Sequence, residues 1–287
     1  MIYRVKTPAT SANLGVGFDT LGIALSLYNE FQFESSHDDT FIGFQARYQN
    51  KKYNLVYKAY AAFFKTYGKG SYQAVKMTLI KQDIPISRGL GSSASLILAG
   101  VFASNHLHQI HVSFDDCVSF AATFEGHPDN VYACAYGGLI SVIKQEDKYI
   151  HQALEVSDKL HFHLLIPREK GYTKKLREAL PKHVSLIDAV HNSSRMSVLP
   201  AAMKQGDMNL LKVVLDDRLH EPYRIPRLPN QNIINHLKEK YLILISGSGP
   251  TLFIITDDQK LSLDEQELEG HSYRVVSVSL GLIEEHL

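Results

Sequence analysis

Hydrophobic and polar positions alternate at the start of the chain, where Tyr3 and Val5 interleave with Ile2, Arg4 and Lys6, and this spacing predicts a strand. A second extended region is expected over Leu21 to Phe33, before the polar turn from Ser35 to Asp39. Val56, Ala59, Tyr60, Phe63 and Phe64 recur at helical spacing between Asn54 and Tyr67, and Ala74 to Ile80 reads as a strand. Ser92 to His106 is apolar nearly all round, which suits a helix buried on most of its faces. Phe114 to Glu125 is a further helix, with Ser113 placed to cap it. Gly137-Gly138 leads into a strand over Leu139 to Ile143.

The stretch Lys144 to Lys159 is polar and charged and is taken as the domain boundary. Beyond it, His161 to Pro167 alternates as a strand, and Thr173 to Leu180, Ser185 to Met203 and Met208 to Leu215 read as helices. Leu242 to Ile245 and Leu252 to Ile255 are short strands, and Tyr273 to Ser279 is read as the last one. Strands and helices mix in both halves, so the expected class is α+β in two domains, residues 1–155 and 156–287.

Composition narrows the function classes. Thirty basic and thirty acidic side chains cancel, so no global field favours nucleic acid or an anionic membrane. An anionic ligand must therefore be held by local geometry. Cys117 and Cys134 are too far apart to resemble a zinc or redox pair and are expected as buried thiols. The segment MIYRVKTPAT lacks the apolar core of a secretory signal, and the apolar run near Leu96 to Ala103 is too short to span a bilayer, so a cytoplasmic protein is expected. None of the fourteen histidines has zinc-ligand spacing.

The main chemical signal is Pro85-Ile86-Ser87-Arg88-Gly89-Leu90-Gly91-Ser92-Ser93-Ala94-Ser95, between a predicted strand and the apolar helix. Gly89 and Gly91 let a phosphate approach the backbone, the serines supply hydroxyls, and the helix N-terminus offers free N–H groups. The same residues could merely cap a core helix. The loop has neither the Lys-Ser/Thr ending of a P-loop nor the G-x-G-x-x-G pattern. Thr7 to Asp19 (TPATSANLGVGFD) reads as a turn-rich loop after the first strand, with Asn13 and Asp19 able to meet a polar ligand. Phe124 to Asn130 (FEGHPDN) follows a helix, and Ser246 to Thr251 (SGSGPT) lies between two strands, where a tight hairpin would account for it equally well.

Together these stretches resemble the GHMP kinases. The loop at 85–95 is similar to their P-x-x-x-G-L-G-S-S-A phosphate motif, and SGSGPT to their C-terminal glycine-rich turn. The spellings at 7–19 and 124–130 resemble the homoserine-kinase branch, from which Val16 departs by replacing a frequent Pro. The resemblance implies a ribosomal-protein-S5-domain-2-like N-terminal domain followed by a ferredoxin-like C-terminal domain. It implies ATP-dependent phosphorylation of L-homoserine with Mg²⁺, in a homodimer. Residues 85–95 would bind ATP, and Ser93 and Glu125 would hold Mg²⁺. Asn13, Asp19, His127, Asn130, Arg195 and Arg224 would meet the acceptor, with Asn13, Asp19 and the two arginines as its catalytic set. A GHMP kinase for a sugar or mevalonate-like acceptor, and a non-catalytic ligand sensor, are the alternatives.

Overall fold

Residues 2–146, 148–171, 173–268 and 270–286 are described by the computed structural model. Strand β1 (Ile2–Ala12) runs antiparallel along the whole of β2 (Leu21–Ser35). The first strand is therefore longer than its alternation suggests, and Thr7 to Ala12 belongs to it rather than to a loop. Pro8 has no N–H to give to a ladder, and the register shifts by a bulge between Pro8 and Ala9. Short β3 (Thr40–Ile42) precedes helix α1 (Leu55–Tyr67), which Asn54 caps by accepting the Tyr57 N–H at 3.1 Å.

Strand β4 (Val75–Gln82) follows and pairs with one end of β2 and with β3. Helices α2 (Ser92–Leu107), α3 (Phe114–Glu125) and α4 (Pro128–Tyr136) come next. The hairpin β5 (Leu139–Gln145) and β6 (Lys148–Leu154) then joins the other end of β2. Strand β6 thus lies inside the polar stretch read as the boundary. The four helices bury Val56, Tyr60, Phe63, Leu98, Val118 and Val131 against Tyr3, Val5, Phe31 and Phe33 of the sheet.

The second sheet starts with β7 (His161–Pro167) and continues through α5 (Thr173–Glu178), α6 (Leu186–Gln205), α7 (Met208–Val214), α8 (Glu221–Arg224) and α9 (Gln231–Lys238). Strands β8 (Leu242–Ile245) and β9 (Leu252–Thr256), helix α10 (Glu265–Leu268) and β10 (His271–Val276) complete it. Its order, β10-β7-β9-β8, is antiparallel throughout and corresponds to the ferredoxin-like arrangement. The chain does not end there. A further strand, β11 (Ile283–His286), returns to the first sheet and pairs with Tyr3 to Lys6 of β1.

A second apolar cluster joins the two sheets: Leu21, Ile23 and Leu25 of β2 pack with Phe162, Leu164 and Phe253, and with Leu199 and Met203 of α6. The two halves are held at a shared core, with the loops at its edge facing one cleft. Cys117 and Cys134 are buried and reduced. No helix among the described residues is long and apolar enough to cross a membrane.

Helices α1 and α2 touch through Gly100, where a Cβ would lie 2.2 Å from the Val56 carbonyl oxygen and 3.0 Å from the Tyr60 nitrogen. Intrinsic propensity favours Ala over Gly in a helix by ~1 kcal/mol. The contact reverses that sign. Gly100→Ala is expected to lower stability by ~1–3 kcal/mol in urea unfolding; a raised midpoint would show that the helices can part at no cost.

Candidate active site

The phosphate loop leaves β4 and enters α2 through left-handed backbone at Ser87, Gly89 and Gly91, with φ of 59°, 79° and 64°. Gly91 is the N-cap of α2, and a Cβ on it would come within 1.8 Å of Thr10 Oγ1. A Cβ on Gly89 would lie 2.2 Å from the Ser246 carbonyl oxygen. Both conformation and space demand glycine at these two positions. Ile86 to Ser93 line a cleft of about 420 Å³ beside the exposed N-terminus of α2, a ready anion site.

Three residues expected to bind ATP do not line it. Pro85 precedes Ile86, the first loop residue to line it, Ala94 is in the first core, and Ser95 bonds through Oγ with Thr7 Oγ1 at 2.7 Å and Asn29 Nδ2 at 3.0 Å. The side chains of Ala94 and Ser95 point into the protein because α2 is buried on those faces. Arg88 lines the cleft, but its guanidinium is spent on carbonyls, donating to Ile86 O at 2.8 Å, Pro167 O at 3.2 Å and Arg168 O. Arg88 thus ties the loop to the second sheet rather than offering a charge to phosphate.

At the end of α3, Glu125 faces Ser93, whose hydroxyl donates to Oε2 at 2.7 Å. Burial pushes the Glu125 carboxyl up, with the Ser93 hydrogen bond opposing. A half-buried carboxylate with only a neutral partner is suited to a divalent cation. Magnesium takes few protein oxygens and keeps waters and phosphate oxygens, so Ser93 and Glu125 fit it even though no cluster of three or more His, Cys, Asp or Glu occurs among the described residues.

On the opposite wall the loop after β1 is folded back on itself. Asn13 and Asp19 both adopt positive φ, 58° and 53°, and Asn13 Oδ1 accepts the Asp19 N–H at 2.8 Å. Asp19 is paired with Arg177 at 2.5 Å, a residue the sequence reading missed, because Arg177 is one of several charges on a short exposed helix. Arg224 is 1% exposed, lies over the Phe18 ring at 5.1 Å, and donates through Nη1 to Gly247 O at 3.2 Å. Its Nε is buried without a partner. Burial lowers the Arg224 proton affinity and Asp19 works against that shift. His127, at the N-cap of α4, has its pKa lowered by burial first and by Arg177 next, which favours the neutral imidazole.

Asn13, Asp19, His127, Asn130 and Arg224 all line the one cleft, together with Arg177. Arg195 does not join them. Its guanidinium donates to Val213 O at 3.1 Å and His191 O at 3.3 Å, where α6 packs on α7. The far end of the cleft is apolar and aromatic, formed by Phe44, Tyr48, Tyr53, Leu55, Leu79 and Leu96, none of which the motifs marked.

The family described as the GHMP kinases N terminal domain matches residues 54–138, which carry the phosphate loop and Glu125. Homoserine kinase of Clostridium beijerinckii is 35% identical over 285 residues, covering 96% of this chain and 95% of that protein. Homoserine kinase of Clostridium acetobutylicum is 37% identical over 260 residues, 89% and 88% of the two chains. The chain belongs to the homoserine kinase family of the GHMP kinases. The crystal structure of homoserine kinase from Cytophaga hutchinsonii superposes with a TM-score of 0.82 at 28% identity, over 99% of this chain and 97% of that one. Mevalonate diphosphate decarboxylase from Staphylococcus aureus, at 15% identity and a TM-score of 0.65 over 100% and 99% of the chains, shares the fold alone.

Asp129 is buried at the cleft floor, 2% exposed, and burial raises its pKa to about 7 despite the Asn130 hydrogen bonds. A carboxyl held above its unfolded value contributes stability that is present at low pH and lost as pH rises through the folded value. Asp129→Asn keeps the shape without the charge. Its Tm relative to wild type is expected to rise between pH 4 and pH 8; a constant difference would place Asp129 in a better-solvated setting than the structure shows.

Proposed function

We propose that this protein transfers the γ-phosphoryl group of ATP to the side-chain hydroxyl of L-homoserine, giving ADP and O-phospho-L-homoserine, a step of threonine biosynthesis. The observation that carries the reading is that the phosphate loop shares its cleft with a carboxylate and two guanidinium groups, Asp19, Arg177 and Arg224. An amino acid presents an ammonium and a carboxylate together. Asp19 suits the first, and the arginines suit the second through charge-assisted hydrogen bonds. A sugar or mevalonate-like acceptor has no ammonium to share Asp19 with Arg177. Membership of the homoserine kinase family supports the same acceptor.

Residues 1–155 would form the nucleotide-holding domain and 156–287 the second, with β11 lent back to the first sheet. The aromatic end of the cleft, around Tyr48 and Tyr53, would receive the base. Backbone N–H groups from Gly89 to Ser93 would take the phosphate oxygens. Ser93 and Glu125 would hold Mg²⁺. Bound there, the ion would neutralise charge building on the transferring group. Asn13 keeps Asp19 in place through the Asp19 N–H, and His127 and Asn130 close the acceptor side. Phosphoryl transfer then depends on alignment and fixed charge rather than on covalent catalysis. Arg177 takes the place expected of Arg195. The protein is proposed to act in the cytoplasm as a homodimer, an assembly that light scattering in solution would check.

A coupled ADP assay is expected to give turnover with L-homoserine and none with mevalonate or galactose; the reverse outcome sinks the assignment. Arg177→Leu and Arg224→Leu should each raise the homoserine KM roughly 10- to 100-fold, the equivalent of ~1.5–3 kcal/mol for a hydrogen bond to a charged group, with the ATP KM little changed. Arg195→Leu should alter neither constant. Glu125→Gln should remove nearly all turnover and raise the Mg²⁺ concentration needed for what remains, and normal Mg²⁺ dependence in that variant would remove Glu125 from the metal site.

A further inference from the structure

Thr10 is fully buried near the end of β1 and touches both halves of the cleft. Its backbone N–H donates to Leu90 O at 3.3 Å, within the phosphate loop. Its hydroxyl donates to Asn130 Oδ1 at 2.7 Å, on the acceptor wall. Gly91 lies directly against it: the Cβ that Gly91 lacks would fall 1.8 Å from Thr10 Oγ1 and 3.1 Å from Asn130 Oδ1. A side chain at Gly91 and the Thr10–Asn130 bond therefore exclude each other.

A carboxamide has nearly the same shape at both ends, so its orientation is set by the groups that bond to it. Asn130 is fixed from two sides. Thr10 offers a proton and demands the amide oxygen. Asp129 Oδ1 accepts from the Asn130 backbone N at 2.7 Å and from Nδ2 at 3.2 Å, and so demands the amide nitrogen. The second Nδ2 proton is left for the cleft, which Asn130 lines.

We propose that Thr10 is a positioning residue for phosphoryl transfer: its hydroxyl locks the Asn130 amide so that Nδ2 faces the acceptor hydroxyl, and its backbone sets that amide at a fixed distance from the phosphate loop. The inference rests on the homoserine phosphorylation reading. Thr10 touches neither substrate, so it acts through Asn130. Loss of the hydroxyl lets the amide turn and present oxygen to an oxygen nucleophile, while the phosphate loop keeps its shape.

Steady-state kinetics of Thr10→Val, Thr10→Ser, Asn130→Ala and Thr10→Val/Asn130→Ala test this. Thr10→Val, which keeps the shape and removes the donor, should lower kcat on the order of 10- to 100-fold, the size expected for misplacement of a reacting group, with the ATP KM unchanged. Thr10→Ser should restore kcat to about the wild-type rate. The double variant should be no slower than Asn130→Ala alone, because removing the second residue takes away what the first positions. Multiplicative losses in the double variant, or equal rates for Thr10→Val and Thr10→Ser, overturn the proposal. Should Thr10→Val show no cooperative unfolding transition, Thr10→Ala replaces it in the same cycle with the same expected and overturning outcomes. If wild type shows no homoserine-dependent ADP formation, the functional reading fails; if wild type turns over and the cycle is multiplicative, the Thr10 inference alone fails.

Discussion

The cleft depends on one contact, the pressing of the phosphate loop against the glycine turn of the second sheet. Ser246 donates through Oγ to Gly89 O at 2.6 Å, and Thr251 donates its N–H to Arg88 O at 3.3 Å. Gly171 gives its N–H to Ser87 O at 2.9 Å, while Arg88 closes on Pro167 and Arg168. Separating the sheets would strip partners from backbone groups that are otherwise satisfied, and would also open the apolar cluster beneath. The loop can hold Ser87 and two glycines in left-handed backbone because the opposite sheet over-determines their positions. The backbone N–H groups of this loop are thereby fixed in place without any ligand, as preorganised anion binding would require.

The same contact explains how a chain with no net charge can serve one polyanionic and one zwitterionic substrate. Charge is placed locally and in opposed pairs. Arg177 is carried by α5, which follows directly from the strand end that Arg88 grips, and so is delivered across the cleft to Asp19. Arg224 is delivered from the other side by α8 and held over Phe18. Burial makes a guanidinium expensive to keep charged, and Asp19 and the Phe18 face offset part of that cost. Phe18 thus supports both guanidinium groups from outside the cleft lining, with Arg224 at 5.1 Å and Arg177 at 5.8 Å from its ring.

What could be read from sequence follows a physical division. The glycine and serine spelling of 85–95 was legible because close backbone approach leaves few residue choices, as Gly89 and Gly91 demonstrate. Asn13, Asp19, His127, Asn130 and Arg224 were legible as members of contiguous strings, and the fold brings them to one cleft. Ser95 was not separable from Ser93 by spelling: two positions along a helix reverse the face, sending one hydroxyl to Glu125 and the other to Thr7. Arg195 sits at the contact of α6 and α7 rather than in the cleft, whereas Arg177, which no motif marks, reaches Asp19, and the reason is non-local. Which exposed arginine reaches Asp19 depends on where β7 ends against the phosphate loop, and no periodicity encodes that. Thr7 to Ala12 looked like a loop because its composition is turn-rich, yet pairing with β2 makes it strand. Lys144 to Lys159 looked like a linker because the β5–β6 hairpin carries mostly polar side chains.

Two buried polar atoms connect the energetics to the chemistry. Ser92 Oγ and Arg224 Nε are buried without partners, and each such group costs ~1–3 kcal/mol in a folded protein. Both residues line the cleft, one beside the phosphate loop and one on the acceptor wall. Ser11 Oγ, His106 Nε2, Asn230 Oδ1 and Thr251 Oγ1 are likewise buried without partners but lie outside the cleft lining, so of these atoms only Ser92 Oγ and Arg224 Nε belong to residues beside a space that a ligand could enter. A phosphate oxygen and a carboxylate oxygen are the acceptors that suit a hydroxyl and a guanidinium N–H. On the proposed function, the stability forgone at Ser92 and Arg224 would be recovered on binding, which would link affinity for both substrates to the same interface between the two sheets.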